Sequence, residues 1–188
     1  FQAAFFTRSW IRPAVDAPLI AAGGITDGYT MAAGCALGAE GVQMGTRMVS
    51  AAESPVHQNW KQAIIHAAET DTLFLNERHS PALRALRTER TAALVNAEHN
   101  VFGDFGDPQA LYFGGDMNAA IALSGQVAGR IESVRSVADI INDTIDEFHD
   151  AITRYDFNAD HGLAGQDHSD GQVVRFVEGE VSYAPGVP

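Results

Sequence analysis

The chain has 188 residues, of which 46% are hydrophobic, with 12 basic against 24 acidic and a formal net charge of −12. This composition excludes a disordered chain and supplies enough residues for a sizeable core, while the acidic balance argues against nucleic acid or an anionic membrane as partner, since both need a positive field. A single cysteine, Cys35, excludes an intramolecular disulfide framework, and no apolar run reaches the roughly 18 residues that suggest a membrane span.

The chain opens on Phe1, not Met, so residues upstream are expected. The opening FQAAFFTRSWIRP is apolar but carries Arg8 and Arg12, and it lacks the residue order of a signal peptide. Residues 18–22, PLIAA, form a short apolar run closed by Gly23 and Gly24, which reads as a buried parallel strand entering a tight turn. In the segment that follows, Thr26 or Asp27 can cap a helix. Met31, Ala32, Cys35, Ala36 and Leu37 recur there at helical spacing, and Gly38 suits the helix end. EGVQMGT then gives a second short strand running into Gly45. Residues 18–46 therefore predict one βαβ unit with a parallel sheet.

Beyond Thr46 the strand signals fade. Residues 53–69 predict a helix with Val56, Trp60, Ile64 and Ala67 or Ala68 on one face, and Pro81 can open another that carries Leu83, Leu86 and Leu94. Residues 100–115 read as a loop. Residues 117–131 predict an apolar, small-residue helix in which Gly125 and Gly129 allow close packing. The clearest amphipathic helix spans 136–152. Val137, Ile140, Ile141, Ile145, Phe148 and Ile152 form its stripe, with Asp139, Asp143, Asp146 and Glu147 on a solvated face. The tail from about Ala159 is expected to be flexible, although VVRFVEGEVSY can pair as a small hairpin.

Two strand ends thus carry glycine, AAGGI at 21–25 and QMGTR at 43–47. Ligands of parallel α/β proteins bind at such C-terminal strand ends, and in eight-stranded α/β barrels the last two often build a phosphate site. Glycine admits a close approach of backbone N–H groups to an anion. Gly23, Gly24, Gly45 and Thr46 would supply such donors. Arg47 either adds charge or pairs with an acidic neighbour such as Glu53.

APLIAAGGITDGYTMAAGCALGAEGVQMGTRMV resembles the C-terminal barrel segment of the nitronate monooxygenase (2-nitropropane dioxygenase) family, whose pattern includes the FMN-dependent enoyl-acyl-carrier-protein reductases. ESPVHQNWKQAIIHAAETDT, ALRALRTE and GGDMNAAIALSGQVAGRIESVRSVADIIND are similar to later family segments in the same order, the last with Gly-Gln-x-Ala-Gly at 125–129. The resemblance runs from about Pro18 to Asp150. It implies an α/β fold: the C-terminal portion of a TIM (β/α)8 barrel, its last two strands, followed by additional α-helices. In that frame 1–52 is the end of the barrel with the FMN-phosphate strand ends, 53–157 a helical C-terminal region packing on it, and 158–188 the flexible tail. Gly24 matches the family glycine that meets the FMN phosphate, and Gly23 precedes it in the same turn. Gln43, Met44, Gly45 and Thr46 match the second phosphate-binding stretch, and Ser124, Gly125 and Gln126 a segment near the flavin. The family's histidine lies in earlier strands with no counterpart here, so no residue of this chain is assigned as catalytic.

The implied function is that of a cytoplasmic FMN oxidoreductase acting on a small molecule. It is either a nitronate monooxygenase using O2, or a reductase passing electrons from NAD(P)H to an enoyl thioester. A catalytically incomplete fragment that at most binds FMN or phosphate is the alternative from another class. The expected partners are the missing N-terminal part of the barrel or further copies of this chain. An IMP-dehydrogenase-type barrel needs a cysteine after a Gly-Ser turn, and Cys35 is misplaced for it; on the apolar face of its helix, Cys35 reads as a buried structural residue. His57, His66 and His79 read as surface histidines. His161 and His168, with Asp160, Asp167 or Asp170, are the weak metal alternative, and no metal is assigned. Trp10 and Trp60 read as packing residues.

Overall fold

The computed structural model describes residues 16–155 and the backbone of 174–177 and 180–183. The glycine-punctuated start folds in the predicted order of elements, although in the first strand, expected to be buried, only Ala21 is buried and Ile20 is 60% exposed. Strand β1 (Ile20–Ala22), helix α1 (Gly28–Ala36) and strand β2 (Gly41–Gln43) form a βαβ unit. The strands are parallel, with Ile20 opposite Gly41 and Ala22 opposite Gln43. Gly23 and Gly24 take left-handed φ values of 82° and 83°, which a β-carbon would resist, so the chain can turn sharply off β1. Asp27 caps α1 through a reciprocal box: its side chain accepts from Thr30 N while the Thr30 hydroxyl oxygen accepts from Asp27 N.

A four-residue helix, α2 (Thr46–Val49), follows β2 directly, and α3 (Gln58–Ile65) comes next, shorter than the predicted 53–69 because the chain up to His57, its cap, is not helical. Val56, Trp60 and Ile64 are buried as their spacing predicts. Strand pairing then returns, against expectation. β3 (Thr72–Leu75) and β4 (Leu83–Leu86) form an antiparallel pair, so the helix predicted from Pro81 is a strand, and only α4 (Glu89–Leu94) of that stretch is helical. The predicted loop 100–115 contains a 3-10 turn, Val101–Asp104, and α5 (Pro108–Tyr112), capped by the Asn100 and Asp107 side chains.

The largest departure is 117–131, which is not one helix. Leu86 N donates to Ala122 O and Ser124 N to Arg84 O, so residues 122–124 lie extended along β4, while Ile121 N donates to Phe105 O and Ala120 bridges Gly106. Two buried clusters explain why. Ala120 and Ala122 belong to the core built on Trp60, Ile64, Leu86 and Leu111, whereas Ile121 belongs to the core of Leu73, Leu75, Leu83, Ala85 and Val101. Consecutive side chains enter different cores, which is the two-residue period of a strand. Only Gln126–Arg130 coils, as a 3-10 turn. Gly129 does allow a close approach, but to the loop at Ala68 and Glu69, where an added β-carbon would lie 2.5 Å from Glu69 N.

Helix α6 (Val137–Tyr155) is the predicted amphipathic helix and packs along α1. Gly28 sits directly against its backbone, near Thr144, Glu147 and Phe148. The burial differs from the predicted stripe. Ile140, Thr144 and Ala151 are buried, while Ile141, Ile145 and Ile152 are 42–44% exposed. Nor is the acidic face wholly solvated: Asp143 pairs with Arg135, and the Glu147 carboxylate accepts from Gly28 N at 2.9 Å. Cys35 is half-buried, not buried. The C-terminal hairpin predicted for VVRFVEGEVSY is present as β5 (Val174–Val177) antiparallel to β6 (Glu180–Tyr183). Trp10, His161, His168 and, outside that hairpin, the tail expected to be flexible from about 159 lie outside the described residues.

Candidate functional site

Three predicted site stretches meet at the C-terminal edge of the parallel pair. The register that sets Ala22 beside Gln43 puts the Gly23 and Gly24 turn next to Met44 and Gly45. The third stretch arrives from 79 residues away. Gly125 N donates to Thr46 Oγ1 at 2.7 Å, and a β-carbon on Gly125 would lie 3.1 Å from that oxygen. Glycine is thus what lets the two segments close on each other. Thr46 and Ser124 are buried, Met44, Gly24 and Gly125 half-buried, and Gly23, Gln43, Gly45 and Gln126 exposed.

The donor set suits an oxyanion such as a phosphate. β-carbons built on Gly23 and Gly45 meet no atom within 4 Å, so open space lies before both turns. The Thr46 N–H lies in the first turn of α2, where no intrahelical acceptor exists. Because Thr46 Oγ1 accepts from Gly125, its hydrogen is available to a ligand oxygen. Ser124 Oγ is buried with no hydrogen-bond partner. An orphaned buried hydroxyl costs stability unless a ligand or water satisfies it.

Arg47 takes neither of its expected roles. It is 8% exposed, and its Nη1 donates to Ser50 Oγ at 3.0 Å and to Ser133 O at 2.9 Å. Its charge clamps α2 to the segment before α6, so the turns offer dipoles without it. Glu53 instead accepts from Val137 N at 2.9 Å, capping α6. Lys61, 1% exposed, donates to Ala52 O at 2.9 Å and fixes the same stretch from α3.

Asp27, foreseen as a cap, has a second role. Its carboxylate takes the Arg130 Nη2 at 2.8 Å, tying α1 to the end of the 126–130 turn. Partial burial pushes its carboxyl up. Hydrogen bonds from Thr30 N, the Thr30 hydroxyl and the Thr26 hydroxyl, with Arg130 alongside, outweigh this and leave it below the usual carboxylate value. No sequence spacing announces a pair 103 residues apart.

The histidines serve structure. His57 is half-buried, contrary to expectation, and its Nδ1 accepts from Asn59 N at 3.1 Å. His79 is half-buried with Nε2 3.0 Å from Glu98 O, and His66 is exposed as expected. Trp60 packs edge-on against Tyr112 with centroids 4.6 Å apart. Among the described residues no cluster of three or more His, Cys, Asp or Glu could hold a metal ion, and no helix is long and apolar enough to cross a membrane. A groove of about 430 Å³ opens elsewhere, between Ala63, Ala67, Leu86 and Met117, with Arg87 and Asn118 at its rim. Three separate stretches, 63–71, 86–89 and 117–118, line it, which is why no local motif marks it.

The family model described as nitronate monooxygenase matches residues 8–147. A "Probable nitronate monooxygenase" of Staphylococcus haemolyticus is 38% identical over 87 residues, which are 46% of this chain and 24% of that protein. One from Staphylococcus saprophyticus is 43% identical over 75 residues, 40% of this chain and 21% of its own. Among solved structures, FabK from Thermotoga maritima superposes with a TM-score of 0.73 at 34% identity, over 81% of this chain and 50% of FabK. The nitroalkane oxidase of Streptomyces ansochromogenes superposes with a TM-score of 0.63 at 24% identity, over 80% of this chain and 45% of its own, a likeness of fold. The chain therefore spans about a quarter of these curated relatives and half or less of these solved structures.

Proposed function

Because the chain belongs to the nitronate monooxygenase family, whose model covers residues 8–147, we propose that it is the C-terminal portion of an FMN-dependent (β/α)8-barrel oxidoreductase and holds the phosphate end of the flavin. In this proposal 1–52 closes the barrel, 53–157 packs on it, 158–188 is an appended tail, and the enzyme works in the cytoplasm. The observation that carries the proposal is the convergence of Gly23 and Gly24, Gly45 and Thr46, and Ser124 and Gly125 at one strand edge, locked by the Thr46–Gly125 bond.

FMN, when bound, would supply the redox chemistry, taking electrons from the substrate and giving them to the acceptor. The chain's own part is binding and orientation. The Gly24, Gly45 and Thr46 N–H groups would hold the phosphate, with the Thr46 hydroxyl as a further donor, and Ser124 Oγ would satisfy its hydrogen bond on the flavin. Gln43, Met44 and Gln126 flank the cradle, and Gly23 gives the turn its approach. Preorganised backbone dipoles suit this task because they need not reorganise when the anion arrives.

The reaction we favour is oxidation of an alkyl nitronate with O2. The FabK likeness favours a second reading in the same family, an FMN enzyme that draws on NAD(P)H to reduce an enoyl-acyl-carrier-protein thioester. The 188 residues by themselves are expected to bind FMN weakly and to turn over neither substrate. The test supplies the remaining barrel residues, then asks whether the desalted protein is yellow with stoichiometric flavin. Oxygen uptake on propionate 3-nitronate without NADPH identifies the monooxygenase; NADPH oxidation dependent on an enoyl thioester identifies the reductase. A completed barrel that binds no flavin overturns the proposal.

A further inference from the structure

We infer that Arg84 is a substrate-binding residue whose guanidinium takes the two coplanar oxygens of a nitronate beside the cradle. The inference deepens the monooxygenase reading above and rests on it for the identity of the anion. The position of Arg84 is set by the strands.

On β4, Arg84 stands between Leu83 and Ala85, which enter the core of Leu73, Leu75, Val101 and Ile121, so its side chain lies on the other face. Phe74 of β3 is its partner on one side. On the other side, the bridge from Ala85 to Leu123 and the 3.0 Å bond from Ser124 N to Arg84 O set Ser124 opposite it. Opposed residues of an antiparallel pair share a face, with β-carbons about 4.5–5.5 Å apart. Phe74, Arg84 and Ser124 thus form one row across three segments. Leu86 and Ala122, on the same face, are buried in the core of Trp60 and Ile64. The row itself emerges from that core, with Phe74 44% exposed and Arg84 half-buried. Its last member carries the hydroxyl without a partner, and the next residue, Gly125, is the one bonded to Thr46. The row therefore ends at the cradle.

Arg84 is held in place but not neutralised. Its Nη1 donates to Thr72 Oγ1 at 3.1 Å, and its Cζ lies over the Phe74 ring, 5.4 Å from the centroid. Among the described residues no carboxylate pairs with it, whereas Arg87, Arg130 and Arg135 are met by Asp71, Asp27 and Asp143. The net charge of −12 repels an anion at long range, and physiological salt screens that field beyond about 8 Å. Capture of an anionic substrate then falls to a cation at the site. The glycine turns hold none, since Arg47 is turned inward.

Shape selects the anion. A guanidinium is flat and presents parallel N–H donors along its edges; Thr72 takes one donor here, and the rest of the fork is open. A nitronate carries its charge on two oxygens coplanar with nitrogen, which matches such an edge in a bidentate pair, as a carboxylate does. A tetrahedral phosphate is instead served by the converging N–H groups of the cradle. Two oxyanions are thus sorted by geometry, with Ser124 between them.

The test begins with the isotope-labelled 188-residue chain, titrated with sodium nitrate, a planar oxyanion, and with propyl-1-nitronate, against sodium chloride at equal ionic strength. The Arg84 Nε–H resonance, identified by its loss in Arg84→Lys, should shift saturably with both oxyanions and not with chloride. Equal shifts in nitrate and chloride overturn the inference. In the completed barrel, Arg84→Gln should keep its flavin and its kcat while KM for propionate 3-nitronate rises about tenfold or more, the loss expected of a charge-assisted pair of hydrogen bonds. Arg84→Lys should recover part of this, because it keeps the charge without the fork. A residue that merely ties β3 to β4 would lower the urea midpoint and leave KM unchanged, and that result also overturns the inference. A completed barrel without flavin refutes the flavin reading, and one that needs NADPH and an enoyl thioester refutes the monooxygenase reading. In both cases the nitrate titration still decides whether Arg84 takes a planar oxyanion.

Discussion

Replacing Gly28 with alanine tests how α6 is held. A β-carbon at Gly28 would lie 2.2 Å from Phe148 N, 2.4 Å from Thr144 O and 2.5 Å from Glu147 C. All three are backbone atoms, so no rotamer change relieves the contact. Carbon atoms rest at about 3.5–4.0 Å, so the helix axes must part by roughly 1 Å, and a gap of that size forfeits about a quarter to a half of each dispersion contact it opens. Ile140 and Ala151, 2% and 1% exposed, lose their cover, and the 2.9 Å bond from Gly28 N to Glu147 lengthens. Overpacking costs about 1–3 kcal/mol in cores that can yield, and two backbones yield less, so we expect about 3 kcal/mol or more. That is a large part of the 5–15 kcal/mol typical of a domain. Urea unfolding followed by far-ultraviolet circular dichroism measures it. Gly45→Ala is the control: no atom lies within 4 Å of the added carbon, and its stability should stay within about 0.5 kcal/mol of the parent. A Gly28→Ala variant that also stays within about 0.5 kcal/mol would refute direct backbone seating of α6.

Thr46→Val keeps the shape of the side chain but removes the acceptor for Gly125 N. It should cost about 1–3 kcal/mol and weaken FMN binding in the completed barrel, whereas Thr46→Ser should restore both. Equal urea midpoints for Val and Ser would refute the lock. Asp27 is held below its ordinary value, so its contribution is present above the unfolded-state value near 3.8 and is lost as pH falls through the lower folded value. Asp27→Asn keeps a capping oxygen but drops the charge facing Arg130. The gap in unfolding midpoint between parent and variant should therefore be widest near neutral pH and close in acid; a gap constant with pH would exclude the ion pair as its source.

The parts of the fold that show in the sequence are those punctuated by local chemistry. Gly23 and Gly24 mark a turn that needs left-handed backbone, Thr26 or Asp27 a cap, and Gly38 a helix end. The βαβ unit follows from these signals without tertiary information. The stretch 117–131 misleads because its alanines favour a helix and its glycines, poor helix formers, read as points of close packing. Its actual period is set by two cores lying on either side, and neither is visible locally. Leu83 and Leu86 mislead in the same way, since residues three apart suit one helix face, yet here they enter different clusters. In α6 the stripe is legible but its burial is not: Ile140 and Ala151 are buried, while Ile141, Ile145 and Ile152 are 42–44% exposed. At the candidate site the glycine turns are legible. The inward turn of Arg47 is not, because a basic residue beside a phosphate motif looks the same whether it faces the ligand or the interior.

The bond between Thr46 and Gly125 also orders events in time. Synthesis runs from the N-terminus, so the turn after β2 leaves the ribosome well before the segment that locks it, and closing so long a loop carries an entropic cost that neighbouring pairs avoid. The lock therefore cannot close until Gly125 has been synthesised, well after the strands that aim the turns. A nascent chain halted before Gly125 would display both glycine turns and still lack the bond that joins the second of them to the third segment.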